Sequence, residues 1–242
     1  VLVLLPPSET KADGGLGAPL ELDALSFPDL NPVRRKLADN LVELAADVPA
    51  SMAALGLTER QDAEVARNAR LFTSPTMPAL HRYTGVLYDA LDVRSLTRGE
   101  RSKVNARLAV ASALFGVVRA TDPIPAYRCS GDSVLPGAGP LGSLWRPVLE
   151  PAINDLDDLV VDLRSGTYAN LARLPNAITV RVVTATGTTI SHFNKAYKGR
   201  LARVLGTARS EPGTVTGLIR VARNAGLDVR RTSDNAVDLR TE

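Results

Sequence analysis

Apolar positions along the chain follow two periods, and the changes between them mark out its elements. Short apolar runs rich in Val, Leu and Ile predict strands: Val1 to Leu5 and Leu114 to Val118, which carry no charge, and Leu159 to Leu163 and Ile178 to Val183, with one charged residue each, with a further short strand over Thr188 to Ser191. Helical spacing predicts a helix opened by Asn31-Pro32, with Val33, Leu37, Leu41, Leu44 and Ala45 on one face and Pro49 ending it. A helical hairpin over 50–71 follows: Ala50 to Leu55, the turn Gly56-Leu57-Thr58, then Glu59 to Leu71, with Thr58 and Gln61 spaced as a capping box.

The same spacing predicts helices over His81 to Leu91, Arg98 to Val110, Leu144 to Ile153 and Asn194 to Ala208. A last helix carries Val215, Leu218, Ile219 and Ala222 and is closed by Gly226. Leu227 to Arg230 and Ala236 to Leu239 then pair around Ser233-Asp234-Asn235, so 213–240 reads as helix plus β-hairpin. With no internal repeat and no sharp linker, residues 1–242 are expected to form a single domain of mixed α/β (α+β) class, a central sheet wrapped by helices.

Three strand exits carry candidate chemistry. Pro6-Pro7 leads into a polar loop with Ser8, Glu9, Thr10 and Lys11; the glycines after it, Gly14, Gly15 and Gly17, lack the Gly-Lys-Ser/Thr of a P-loop. Past Leu114–Val118, the pairs Asp122-Pro123 and Ile124-Pro125 hold the backbone extended and stiffen the loop that presents Tyr127 and Arg128. The third exit runs Arg164-Ser165-Gly166-Thr167-Tyr168. The strands starting at Val1, Leu114 and Leu159 are therefore expected to lie together and to gather Lys11, Arg119, Tyr127, Arg128, Ser165 and Tyr168 at one rim. On the 194–208 helix, Lys195 and Lys198 lie off the buried stripe and add charge.

Composition narrows the function classes. Among 242 residues, 45% are apolar, enough for a core, and neither a signal-peptide core nor a membrane span is apparent. One cysteine, Cys129, and two histidines, His81 and His192, argue against a disulfide framework and a zinc site, so no metal and no cofactor are expected and a reducing cytoplasm fits. Ser130 and Ser133 lack a nucleophile elbow. The net charge is +3, but residues 181–242 carry 11 Lys and Arg against 5 Asp and Glu. A basic end suits a polyanion, though it equally describes a solvated surface.

The run Phe115-Gly116-Val117-Val118-Arg119 followed by Tyr127-Arg128 resembles the YaaA (UPF0246) family of bacterial proteins linked to peroxide stress. Collinear matches are Val1 to Ser8, Gly85-Val86-Leu87-Tyr88, Trp145, Ser165 with Tyr168, and Ile190-Ser191 through Lys195 to Lys198-Gly199. The chain departs from the family at Glu9, where a lysine commonly follows the first strand. The resemblance implies a basic cleft, and a DNA-binding protein, double- or single-stranded and of low sequence specificity, that limits peroxide damage without being an enzyme. Under it, Lys11, Arg119, Tyr127, Arg128, Ser165, Tyr168, Lys195 and Lys198 are the expected anion-binding residues; the 50–71 segment, helix, glycine-containing turn and helix, has by itself the outline of a helix-hairpin-helix, although a single glycine and the acidic Asp62 and Glu64 favour a plain helical hairpin. The alternatives are an enzyme acting on a nucleotide or other small anionic ligand in the same cleft, and a non-catalytic interaction protein.

Overall fold

The computed structural model describes residues 1–184, 186–188 and 194–241. Its centre is β1 (Leu2–Leu5), four apolar residues without one exposed side chain. A strand so buried needs a parallel neighbour on each side, and β1 has two: Val3 pairs with Leu108 and Leu2 with Val160.

After β1 the chain runs through α1 (Asn31–Leu44), α2 (Val48–Leu55), α3 (Asp62–Ala69), β2 (Met77–Pro78), α4 (Ala79–Arg82), α5 (Val86–Leu91) and α6 (Arg98–Arg107) to β3 (Leu108–Ser112) and β4 (Gly116–Arg119). There follow β5 (Pro123–Ile124), α7 (Leu141–Asn154), β6 (Val160–Asp162), α8 (Gly166–Ala169), β7 (Ile178–Val183), α9 (Asn194–Thr207), α10 (Val215–Asn224), β8 (Asp228–Ser233) and β9 (Ala236–Arg240). The main sheet has seven strands in the order β4-β3-β1-β6-β7-β9-β8. Its five inner strands are parallel, and the edge strands β4 and β8 are antiparallel additions. Helix α9 packs on β1 and β7 and against α5, α6 and α10. Gly199 makes this possible, because a Cβ there would collide with the Leu87 carbonyl of α5.

Most boundaries follow the sequence pattern, including the Thr58–Gln61 capping box and the terminal hairpin, which extends the sheet. Three do not. Pro49 opens α2 instead of ending α1, with the Asp47 carboxylate accepting from the Ala50 amide as its cap. The helix expected over His81–Leu91 is two short ones, separated at Gly85, whose φ is +99°. The third concerns the sheet itself. The strand beside β1 is Leu108–Ser112, which the helical pattern had assigned partly to α6, whereas Leu114 and Phe115 lie in the turn to β4. The Ser112 hydroxyl accepts from the Phe115 amide and Gly116 sits at φ +72°, so the chain reverses there. The strand expected over Thr188–Ser191 falls largely outside the described residues, as does His192.

Buried cations hold the loops. Arg34 of α1, with no exposed surface, donates to the carbonyls of Ser26, Phe115 and Val117 at 2.8–3.0 Å. Arg82 does the same for Ala12, Gly14, Pro75 and Ile124. No helix among the described residues is long and apolar enough to cross a membrane.

Trp145 of α7 covers the β3–β4 turn, donating its indole N–H to the Ala113 carbonyl at 2.8 Å. A Cβ on Gly116 would stand 2.7 Å from its ring, at a φ that side chains rarely adopt. Gly116→Ala is expected to lower stability by about 2–4 kcal/mol, read from the urea midpoint at unchanged m-value. An unchanged midpoint would show that the turn relaxes freely.

Candidate functional site at the parallel strand ends

Side chains at the carboxyl ends of parallel strands escape the sheet, and a crevice forms where neighbouring strands send their chains in opposite directions. Here β1 leads away to β3 on one side, while its neighbour β6 leads to β7 on the other. A cavity of about 720 Å³ opens at that point, walled by the exits of β1 and β6 and by α5 and the start of α9.

The apolar part of the lining comes from Pro6 and Pro7 of the β1 exit, Val86 and Leu87 of α5, and Val180 and Val182 of β7. The remainder is rich in hydroxyls. Thr10 Oγ1 lies 3.1 Å from both Ser8 Oγ and Thr84 Oγ1, and Ser165 and Thr167 line the other exit. Gly85 beside the first cluster takes φ +99°, a conformation that favours glycine, and a Cβ there would stand in ordinary contact, 3.5 Å from Ser8 Oγ.

Most cations around this space are already engaged. Arg164 is nearly enclosed, paired with Asp162 through two nitrogens at 2.8–2.9 Å and donating to the Tyr168 and Ala172 carbonyls. Arg181 forks onto Asp238. Lys198, 8% exposed, donates to the Leu163 and Arg164 carbonyls at 2.9 and 3.1 Å, and its amine is pushed down from the ordinary lysine value by burial, with Asp162 opposing. Lys195 is exposed at the rim.

From two lining residues, Glu9 and Tyr168, a polar network runs inward. Glu9 reaches the Arg128 guanidinium at 3.2 Å with one oxygen and accepts from the Tyr168 hydroxyl at 3.4 Å with the other. Arg128 is anchored through its backbone, which exchanges two hydrogen bonds with the Asn68 side chain at 2.8 Å. Deeper still, Lys11 Nζ lies 4.2 Å from the Tyr127 ring centroid and donates to the Ser8 carbonyl at 3.1 Å. The Tyr127 hydroxyl meets those of Tyr83 at 2.8 Å and Ser112 at 2.7 Å. Burial pushes the Tyr83 hydroxyl up to about 12, and raises Tyr127 and Tyr168 well above the ordinary tyrosine value.

Of the eight expected anion-binding residues, Ser165, Tyr168, Lys195 and Lys198 border the cavity, and Lys11 and Arg128 stand behind Glu9. Tyr127 is 1% exposed and fully partnered, so it offers no face to a nucleic-acid base. Arg119 lies at the opposite end of the sheet. Because β4 runs back along β3, Arg119 pairs with Ala109, donates to the Ala106 carbonyl and stacks over Phe27. The sequence reading passed over Glu9 and Thr84. The signal for Glu9 was its departure from the family lysine; Thr84 lay beside the family segment Gly85–Tyr88.

The chemistry of the sole thiol bears on peroxide. Cys129 is buried, and that burial pushes its thiol up to about 12, so no appreciable thiolate exists at neutral pH to attack an oxidant. Among the described residues, no three His, Cys, Asp or Glu side chains are grouped to hold a metal ion.

Lys11 supplies a test of this electrostatic arrangement. Burial, the largest influence, and Arg128 lower its amine while Glu9 opposes, leaving it at about 8. Unfolding returns it to 10.5, so above pH 8 the unfolded chain holds a proton that the folded protein has lost. The cost of burying Lys11 is thus fully present below pH 8 and diminishes as pH rises towards 10.5. The stability of Lys11→Met relative to the parent protein is expected to fall by up to about 3 kcal/mol between pH 7 and pH 10 in urea unfolding. A difference that does not vary with pH would refute the lowered amine.

The comparisons with known proteins agree along the whole chain. The family model described as peroxide stress protein YaaA matches residues 1–231. A UPF0246 protein of Corynebacterium efficiens is 47% identical over 237 residues, 95% of this chain and 94% of the relative. A UPF0246 protein of Streptomyces coelicolor is 44% identical over 238 residues, 95% and 92% of the two chains. An uncharacterized protein of Campylobacter jejuni retains 25% identity over 206 residues, 84% and 83% of the two. With β1, the Gly116 turn, Gly85–Tyr88 and α9 all inside the matched region, the chain belongs to the YaaA family of peroxide stress proteins.

Proposed function

We propose that the protein binds DNA in the cytoplasm, without marked sequence preference, and thereby limits oxidative damage. The family resemblance implies DNA binding, and the disposition of charge supports it. Ion pairs neutralise Arg181, Arg230 and Arg231 of the basic C-terminal region. The side chains of Lys195, Arg200, Arg209 and Arg220 are exposed, and no carboxylate among the described residues lies within 4.0 Å of them. Such cations bind phosphate with release of counterions. The buried thiol argues in the same direction, towards protecting a target instead of consuming the oxidant. The cavity of about 720 Å³ at the strand exits favours the second reading, a small anionic molecule, which is developed below.

If the cations of α9 and α10 form the binding surface, only a few phosphates are neutralised there, so binding should be modest and salt-dependent. With about three to five phosphates neutralised, log K falls with log[salt] at a slope of roughly −3 to −4 in fluorescence anisotropy. The double variant Lys195→Ala, Arg200→Ala is expected to flatten that slope by about one to two units. Lys198 is a poor choice for this purpose, since two backbone carbonyls hold its amine. A slope that the double variant leaves intact, or a signal indifferent to salt, would remove α9 from the DNA-binding surface.

A further inference from the structure

The cavity between the exits of β1 and β6 is shaped for something smaller than a duplex. Its volume of about 720 Å³ falls in the range of small-molecule sites, roughly 300–1,000 Å³. It occupies the point in the sheet where the connections diverge, the usual ligand position in an open parallel sheet. Volume and topology are independent observations, and they coincide.

The lining indicates the chemistry of the ligand. Pro6, Pro7, Val86 and Val182 offer an apolar wall on which a flat ring can lie. Ser8, Thr10, Ser165 and Thr167 offer hydroxyls that donate and accept, as the oxygens of a sugar and a phosphoryl group require. Lys195 supplies an exposed ammonium, and Lys198, with two of its three N–H donors committed to Leu163 and Arg164, keeps one more. Glu9 and Asp132 stand on the same lining and oppose any ligand of high negative charge. Two amines facing two carboxylates suit one phosphoryl group, not a chain of three.

We propose that this cavity binds a nucleoside monophosphate, with its base on the Pro6–Val182 wall and its phosphoryl group at Lys195 and Lys198 beside Ser165. The site does not depend on the DNA-binding reading, because a free mononucleotide can be titrated without any DNA present. Glu9 sets the charge that the site accepts: it holds Arg128 at 3.2 Å, so that guanidinium is neutralised before a ligand arrives.

The test is isothermal titration of the full chain with AMP, adenosine and ATP in turn. AMP is expected to bind saturably, with adenosine and ATP each at least about tenfold weaker, a difference of about 1.4 kcal/mol. Gly166 lines the cavity, and a Cβ there meets no atom within 4 Å, so Gly166→Phe is expected to fold and to weaken AMP at least about tenfold by occupying the space. Lys195→Ala should weaken AMP while leaving adenosine unchanged, and Glu9→Gln should narrow the gap between AMP and ATP. Thermal unfolding of each variant verifies its fold. Absence of AMP binding at millimolar concentration overturns the proposal, as does equal affinity for adenosine. AMP binding unaffected by Gly166→Phe overturns it too, by placing the nucleotide elsewhere. Lys195 enters both this test and the salt slope on DNA, so Gly166→Phe, which removes no cation, distinguishes the two: it should weaken AMP and leave the DNA slope unchanged.

Discussion

The fold depends on buried cations that satisfy the carbonyl groups of its loops. An irregular segment drawn into the interior leaves acceptors without water, and each must find a donor. Arg34 serves the 26 and 115–117 segments, Arg82 the 12–14, 75 and 124 segments, Arg107 the end of α9 and beyond, Arg164 the 168–172 turn, and Lys198 the exit of β6. A guanidinium with five donors in a plane can serve several carbonyls at once, which a neutral side chain cannot. Removing one of these groups would leave several acceptors dry, so their importance exceeds that of any exposed ion pair.

This division of labour alters what the basic composition means. A tally of lysine and arginine in the sequence counts Arg34, Arg82, Arg107, Arg164 and Lys198 with the surface, although all five are buried. The charge left to attract a polyanion is correspondingly smaller and concentrated towards the C-terminal region. The exposed cations of α9 and α10 and the hydroxyl-lined cavity meet at Lys195, which stands on α9 and on the cavity rim alike.

Much of the fold was legible in the sequence because short runs rich in Val, Leu and Ile and helical stripes are unambiguous where they stand alone, as at 1–5, 159–163 and 178–183. The region from Arg98 to Arg119 was not, since Leu108-Ala109-Val110-Ala111-Ser112 continues the α6 helix without a glycine or proline between them and two of its residues are alanines, good helix formers. Reading the strand one element late placed Arg119 at the wrong end of the sheet. Tyr127 was misjudged for a different reason. In an extended, proline-stiffened segment adjacent side chains point to opposite sides, so bringing Arg128 towards Glu9 sends Tyr127 inward. Pairing of that kind, decided by a carboxylate 119 residues away in sequence, leaves no local trace.

Cys129 has a consequence for how long such a protein can serve. Sulfur oxidation begins at the thiolate, and a thiol held near 12 beneath the surface seldom forms one. At this cysteine the chain carries no ready fuse: oxidant meets a protonated sulfur under cover, and the position calls for no reductant to restore it.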